Sequence, residues 1–357
     1  MSDPNPRPTA GACVKRRRLL GALVAGAMPF APMRLVHAEE VLPPAASTRA
    51  GGPPTMDAPL AARVLALDPD AIGEREIAAT LASAPAPRII ALHGSVPVVT
   101  MAPFAEFLAA MGYPRERLRN PADGSMTYSS YVDGPVLAGT LAWHYEREGA
   151  MPILLGHSQG GMASVRALHA LAGAFGAQVP VWDPLLDRAE SRTSIVDPFS
   201  GESRSVVGLR VPYAAAIATG KVMRILLGQW GMLDKVHEVP DSVESFTGFF
   251  IDGDPFTGTF AGRIPGGGFR ATGRAHVENV LLPASYSHVG APLADHLAAD
   301  ASTRQWIDRY DPRRPVAPPA AGDTRNLLHA ARIWAEVKRQ WCLAAQRFAR
   351  HASGGVA

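Results

Sequence analysis

Met151-Pro152-Ile153-Leu154-Leu155-Gly156-His157-Ser158-Gln159-Gly160-Gly161 is the stretch on which the reading of this chain turns. Ile153-Leu154-Leu155 is a short apolar run, the pattern of a strand buried on both faces. Gly156 to Gly161 turns the chain, and Met162 to Ala174 continues with helical spacing. The order is therefore strand, tight turn, helix, with one serine at the apex of the turn.

Working outward, Asp133 to Glu148 predicts a helix with Leu137, Leu141 and Tyr145 along one face. Arg88-Ile89-Ile90-Ala91-Leu92 predicts a buried strand ending at His93-Gly94. Ala102 to Met111 predicts a helix stopped at Gly112. Downstream, Val179 to Asp183, Phe249-Phe250-Ile251 and Val277 to Leu282 predict a third, fourth and fifth strand. Strands alternating with helices imply an α/β fold, a mostly parallel sheet with helices on both faces. The stretch between Asp183 and Phe246 fits the alternation poorly. Val211 to Leu233 reads as an apolar helical region, and residues 185–246 as an inserted helical cap over the C-terminal edge of the sheet. Ordinary crossover helices with long loops are the alternative.

Gly156-His157-Ser158-Gln159-Gly160 fits G-x-S-x-G in the strand-to-helix setting that gives the pattern its meaning. A turn this tight forces strained backbone angles on the serine and leaves no room for side chains beside it, hence the flanking glycines. It lifts the Ser158 hydroxyl above the sheet edge. The new helix aims its first N–H groups at any negative charge that develops there. Ser158 is the candidate nucleophile.

Strand, turn and helix together resemble the α/β-hydrolase family, its esterase and lipase branch in particular, over roughly residues 86–300. The resemblance implies an α/β-hydrolase fold and assigns further roles. Leu92-His93-Gly94-Ser95 matches the turn that supplies one oxyanion N–H. Carried over, the two donors are the backbone N–H groups of Ser95 and Gln159, with Val96 as a substitute for Ser95 and His93 as a brace for the turn. The family's base lies in the loop after the last strand, where Ser285-Tyr286-Ser287-His288-Val289-Gly290 offers His288. Its acid commonly closes the preceding strand, where Ile251-Asp252-Gly253-Asp254-Pro255 offers Asp254, with Asp252 and Asp183 as rivals. The expected activity is cleavage of a small-molecule or lipid-like ester through an acyl-enzyme. An amidase or peptidase with the same triad is a second reading, and a binding protein on the same scaffold a third. None of the eleven histidines has a spacing such as H-E-x-x-H, so no metal and no cofactor is expected.

Charge and termini complete the picture. The formal charge is +3, but the first 38 residues hold six basic residues and one acid, which leaves 29 basic and 31 acidic residues beyond them. The basic excess belongs to the leader, and nucleic acid is not an expected partner. Arg16-Arg17-Arg18-Leu19-Leu20 resembles a twin-arginine export signal. The apolar stretch Leu19 to Pro32 and Val36-His37-Ala38 follow it, so residues 1–38 read as a signal peptide cleaved after Ala38, with periplasmic or secreted location. An N-terminal membrane anchor is the alternative reading. Residues 39–60 read as a linker and 61–357 as the hydrolase domain. A C-terminal helix at about 323–350 carries Trp334 and Trp341 on one side and basic residues elsewhere. That pattern fits packing on the core, or peripheral contact with an anionic membrane surface. Cys342 in that helix reads as a buried, inert thiol.

Overall fold

The computed structural model of the chain describes residues 56–95, 99–220, 235–314, 316–319 and 323–354. The predicted leader and most of the predicted linker lie outside the described residues. Helix α1 (Ala58–Leu65) begins inside that linker stretch. Asp57 caps it by accepting from the Leu60 N–H at 2.7 Å, and Met56 and Leu60 are buried.

Five strands, β1 (Ile89–Leu92), β2 (Ile153–His157), β3 (Val211–Ile217), β4 (Val243–Ile251) and β5 (His276–Leu282), form one sheet. Their spatial order is their chain order, and every pair is parallel. Helices follow as α2 (Glu74–Ala79), α3 (Ala102–Ala110), α4 (Gly134–Glu148), α5 (Gln159–Leu171), α6 (Ala301–Asp308) and α7 (Leu327–Gly354). Alternate strand residues serve opposite faces. Ile89, Ala91, Ile153, Leu155, Tyr213 and Phe249 pack with α1, α3 and α7. Ile90, Leu92, Leu154, Ala214, Phe246 and Phe250 pack with α4 and α5. The structure is thus mixed α/β, a central parallel sheet flanked by helices.

The region expected to form a helical cap is organised otherwise. Val211–Ile217 is the middle strand of the sheet, between β2 and β4. An apolar run that is buried on both faces has no amphipathic period, so helix and strand cannot be told apart by spacing alone. Ala214-Ala215-Ala216 adds a helical bias that sheet pairing overrides. Before β3, the described chain forms two antiparallel ribbons, Trp182–Asp183 with Arg188–Ala189 and Ser194–Val196 with Ser203–Ser205. The predicted third strand at Val179 to Asp183 survives only as part of the first ribbon. No helix occurs among the described residues of 185–246. The remainder of that expectation, residues 221–233, lies outside the described residues.

Helix α7 runs four residues beyond its predicted end. Leu327, Ala331, Trp334, Trp341, Cys342 and Phe348 on its apolar side are all buried. That side faces the core, and burial pushes the Cys342 thiol up to about 11. Among the described residues, no helix is long and apolar enough to cross a membrane.

Candidate active site

Parallel strands put their C-terminal ends on one edge, and the candidate residues meet there. Ser158 follows β2, Asp254 lies three residues beyond β4, and His288 lies in the loop after β5. Ligands of open parallel sheets bind outside this edge as a rule.

The elbow is strained as its sequence predicts. Ser158 has φ 51° and ψ −114°, outside the usual regions for a non-glycine residue. The conformation is held from several sides. The Ser158 N–H donates to the Ile217 carbonyl at 2.8 Å, and the Ser158 carbonyl accepts from the Thr219 hydroxyl at 3.0 Å. A Cβ on Gly156 would run into the backbone of Gly160 and Gly161, and one on Gly160 into the carbonyls of Leu92 and His93. Close approach of backbone to backbone is what those two glycines permit.

Three side chains form a linear relay. His288 Nε2 lies 3.0 Å from Ser158 Oγ, and His288 Nδ1 lies 2.8 Å from Asp254 Oδ2. An ionised carboxylate only accepts, so Nδ1 carries the hydrogen and Nε2 is left to accept from the serine hydroxyl. Ser158 and Asp254 are buried and His288 is nearly so. Burial opposes charge on Asp254. The hydrogen bond and charge of His288, with the Phe256 N–H at 2.9 Å, outweigh it and hold the carboxyl below the usual carboxylate range. The rival acids are engaged elsewhere. Asp252 accepts from the Gly262 N–H at 2.8 Å, and Asp183 from those of Leu185 and Leu186 at 2.8 and 3.3 Å.

The turn after β1 runs alongside the serine. A Cβ on Gly94 would come within 3.4 Å of Ser158 Cβ. The turn is braced from the segment after Tyr128. Ser130 Oγ donates to the Gly94 carbonyl at 3.3 Å, Tyr131 Oη donates to the Ser95 carbonyl at 2.8 Å, and Gln159 Nε2 donates to the Ser130 carbonyl at 3.3 Å. The His93 ring donates from Nδ1 to the Gly94 carbonyl. Gln159 opens α5, so its N–H belongs to the first helical turn, which lacks intrahelical acceptors. Val96, the substitute donor, lies outside the described residues.

Two contributors escape a motif-based reading. His157 donates from Nε2 to the His288 carbonyl at 2.8 Å. Thr219, just beyond β3, supports the elbow. His157 fills a position that the G-x-S-x-G pattern leaves open and Thr219 stands in no motif, and each acts on a carbonyl far away in the chain. Among the described residues, no group of three or more His, Cys, Asp and Glu side chains is arranged to hold a metal ion.

Compared with known proteins, the chain matches no family model, no curated protein and no solved structure.

Proposed function

We propose that this chain is an exported serine hydrolase of the α/β-hydrolase type that cleaves carboxylic esters through an acyl-enzyme on Ser158. The observation that carries the reading is the relay of Ser158, His288 and Asp254, with hydrogen-bond lengths of 3.0 and 2.8 Å, on a serine held at positive φ. Structural serines have no need of such strain, which concentrates at functional sites.

The chemistry follows from the geometry. The Ser158 hydroxyl gives its proton to His288 Nε2 as Oγ attacks the ester carbon. The imidazolium is stabilised by the Asp254 carboxylate behind it. The carbonyl oxygen becomes an oxyanion facing the N–H groups of Gln159 and Ser95, and each such donor is worth about 100- to 1,000-fold in rate. Collapse expels the alcohol, which takes the proton from Nε2. A water molecule then gives a proton to Nε2 and attacks the acyl-enzyme, and Ser158 leaves with that proton restored.

An apolar substrate is supported by what surrounds the relay. Phe256 lies with its ring 4.6 Å from that of His288, and Phe256, Val289 and Tyr131 are all exposed on the loops that carry the acid, the base and the brace of the turn after β1. Such side chains suit a small apolar or lipid-like ester. The export signal read at residues 1–38 supports a periplasmic or secreted setting.

The test is hydrolysis of p-nitrophenyl esters of increasing chain length, beside the matched anilides. Wild-type protein is expected to cleave the esters, and Ser158→Ala to lose about 10⁴-fold or more in kcat. Ester cleavage unaffected by Ser158→Ala would overturn the proposal. Preference for the anilides would move it to amide bonds.

A further inference from the structure

The His157 imidazole is 2% exposed and sits between two loops of the site. On one side, Nε2 lies 2.8 Å from the backbone carbonyl of His288, and the two rings are 5.3 Å apart. A carbonyl only accepts, so Nε2 carries the hydrogen. On the other side, Nδ1 has no hydrogen-bond partner among the described residues and packs against the turn after β1. A Cβ on Gly94 would come within 3.0 Å of that nitrogen. One ring therefore touches the turn bearing Ser95, precedes Ser158 in the chain, and holds the backbone of the residue whose ring must reach Ser158.

A buried ring nitrogen without a partner is costly to the fold. Leucine, of similar volume, would fill the same space without that penalty. What leucine cannot do is donate to the His288 carbonyl. Catalytic geometry is sensitive at this scale, since a displacement of about 1 Å can cost about 100-fold in rate.

We propose that His157 is a positioning residue for the reaction, whose Nε2–H anchors the His288 carbonyl and so sets the imidazole of His288 against Ser158. The inference rests on the serine-hydrolase reading above. His157 does this work uncharged. Burial first, and then the charge of His288, disfavour its protonation and, with a smaller push from His329, outweigh the hydrogen bond to the His288 carbonyl and the pull of Asp254, so that it is pushed down to about 3. When His288 becomes cationic during turnover, the neutral ring beside it adds no repulsion.

The experiment compares wild type with His157→Leu, which removes the donor, and His157→Gln, whose terminal amide keeps one at similar reach. Competent sites are first counted by labelling with a fluorophosphonate, and kcat and KM for a p-nitrophenyl ester are then expressed per labelled site. His157→Leu is expected to lose about 10- to 100-fold in kcat with KM changed less than about threefold, and His157→Gln to recover most of the loss. A role in stability alone would lower the count of labelled sites and leave kcat per site unchanged, and that result would overturn the proposal. A measurement on wild type covers failure of the variants to fold. Imidazole ¹⁵N shifts are expected to report a neutral Nε2–H tautomer of His157 from about pH 5 to about pH 9. The Nδ1–H tautomer, or titration of His157 within that range, would equally overturn it. Wild-type protein that neither labels nor cleaves esters would remove the hydrolase reading and this one with it, whereas normal labelling with unchanged kcat in His157→Leu removes only this one.

Discussion

The side-chain amide of Asn326, at the head of α7, donates to the carbonyl of Gly290 at 2.7 Å, two residues beyond His288. The same nitrogen reaches the Leu293 carbonyl at 2.8 Å. Asn326 is buried with φ 65°, a conformation asparagine tolerates better than most residues. Asn326→Gly keeps the backbone unstrained and removes both bonds. It should cost about 2 kcal/mol in urea unfolding, at about 1 kcal/mol per bond, and lower kcat several-fold by loosening the loop that carries His288. Unchanged kcat would show that Asn326 supports only the fold.

Asp254 and Asp252 are two residues apart and differ sharply in environment. Asp254→Asn keeps the size of the side chain but removes the charge behind His288 and invites the wrong tautomer, for a loss of about 10⁴-fold in kcat. Asp252→Asn still offers an oxygen to the Gly262 N–H and should stay within about threefold of wild type. Steady-state ester hydrolysis by the two variants decides the matter, and the reverse ranking would reassign the acid.

Gly160→Ala should be among the most damaging small substitutions in the chain. The added methyl meets the carbonyls of Leu92 and His93, and Leu92 is fixed opposite Gly156 by the pairing of β1 with β2. A loss of about 3 kcal/mol or more is expected, with fluorophosphonate labelling lost in parallel. Thermal unfolding indistinguishable from wild type would mean that the turn has more freedom than the close packing around it implies.

Acid should destabilise the protein at pH values where the carboxylates are still ionised. His329 is fully buried, donates from Nε2 to the Ala291 carbonyl at 2.8 Å, and is pushed down by burial to about 4. An unfolded chain protonates this side chain below about pH 6.5. Between those values only the unfolded state binds the proton, so stability falls as pH drops from about 6.5 to about 4, by about 3 kcal/mol for this group. His157, depressed to about 3, adds to the same trend. Asp254, held below its ordinary value, contributes stability above its unfolded pKa and loses it at still lower pH. His329→Gln should flatten the decline of the urea midpoint between pH 6.5 and 4. An equally steep decline in that variant would assign the acid sensitivity to other groups.

Much of the sheet is legible in the sequence because β1 and β2 are apolar runs flanked by recognisable helices, while the end of β4 and most of β5 read as apolar runs closed by turns. β3 is not, since Val211–Ile217 is buried on both faces and its three alanines carry no strand signature. Ser158, Asp254 and His288 stand out as positions because each follows a predicted strand, and the structure brings all three within hydrogen-bond reach. The choice between Asp254 and Asp252 is beyond sequence, as both sit in one turn and only the direction of a side chain separates them. His157 and Asn326 are equally hidden. Each acts through a carbonyl 131 or 36 residues away, and such pairings exist only once the chain is folded.

The middle strand has a consequence for distance. Adjacent strands lie about 4.8 Å apart, so β3 separates the strand before Ser158 from the strand before Asp254 by about 10 Å. Two hydrogen bonds, of 3.0 and 2.8 Å, and the width of one imidazole ring cover a comparable length. The imidazole of His288, brought in by the loop after β5, spans the interval between a serine and an aspartate that follow strands two apart. The sheet thus acts as a ruler, and the seven residues from Val211 to Ile217 mark the interval that one histidine bridges.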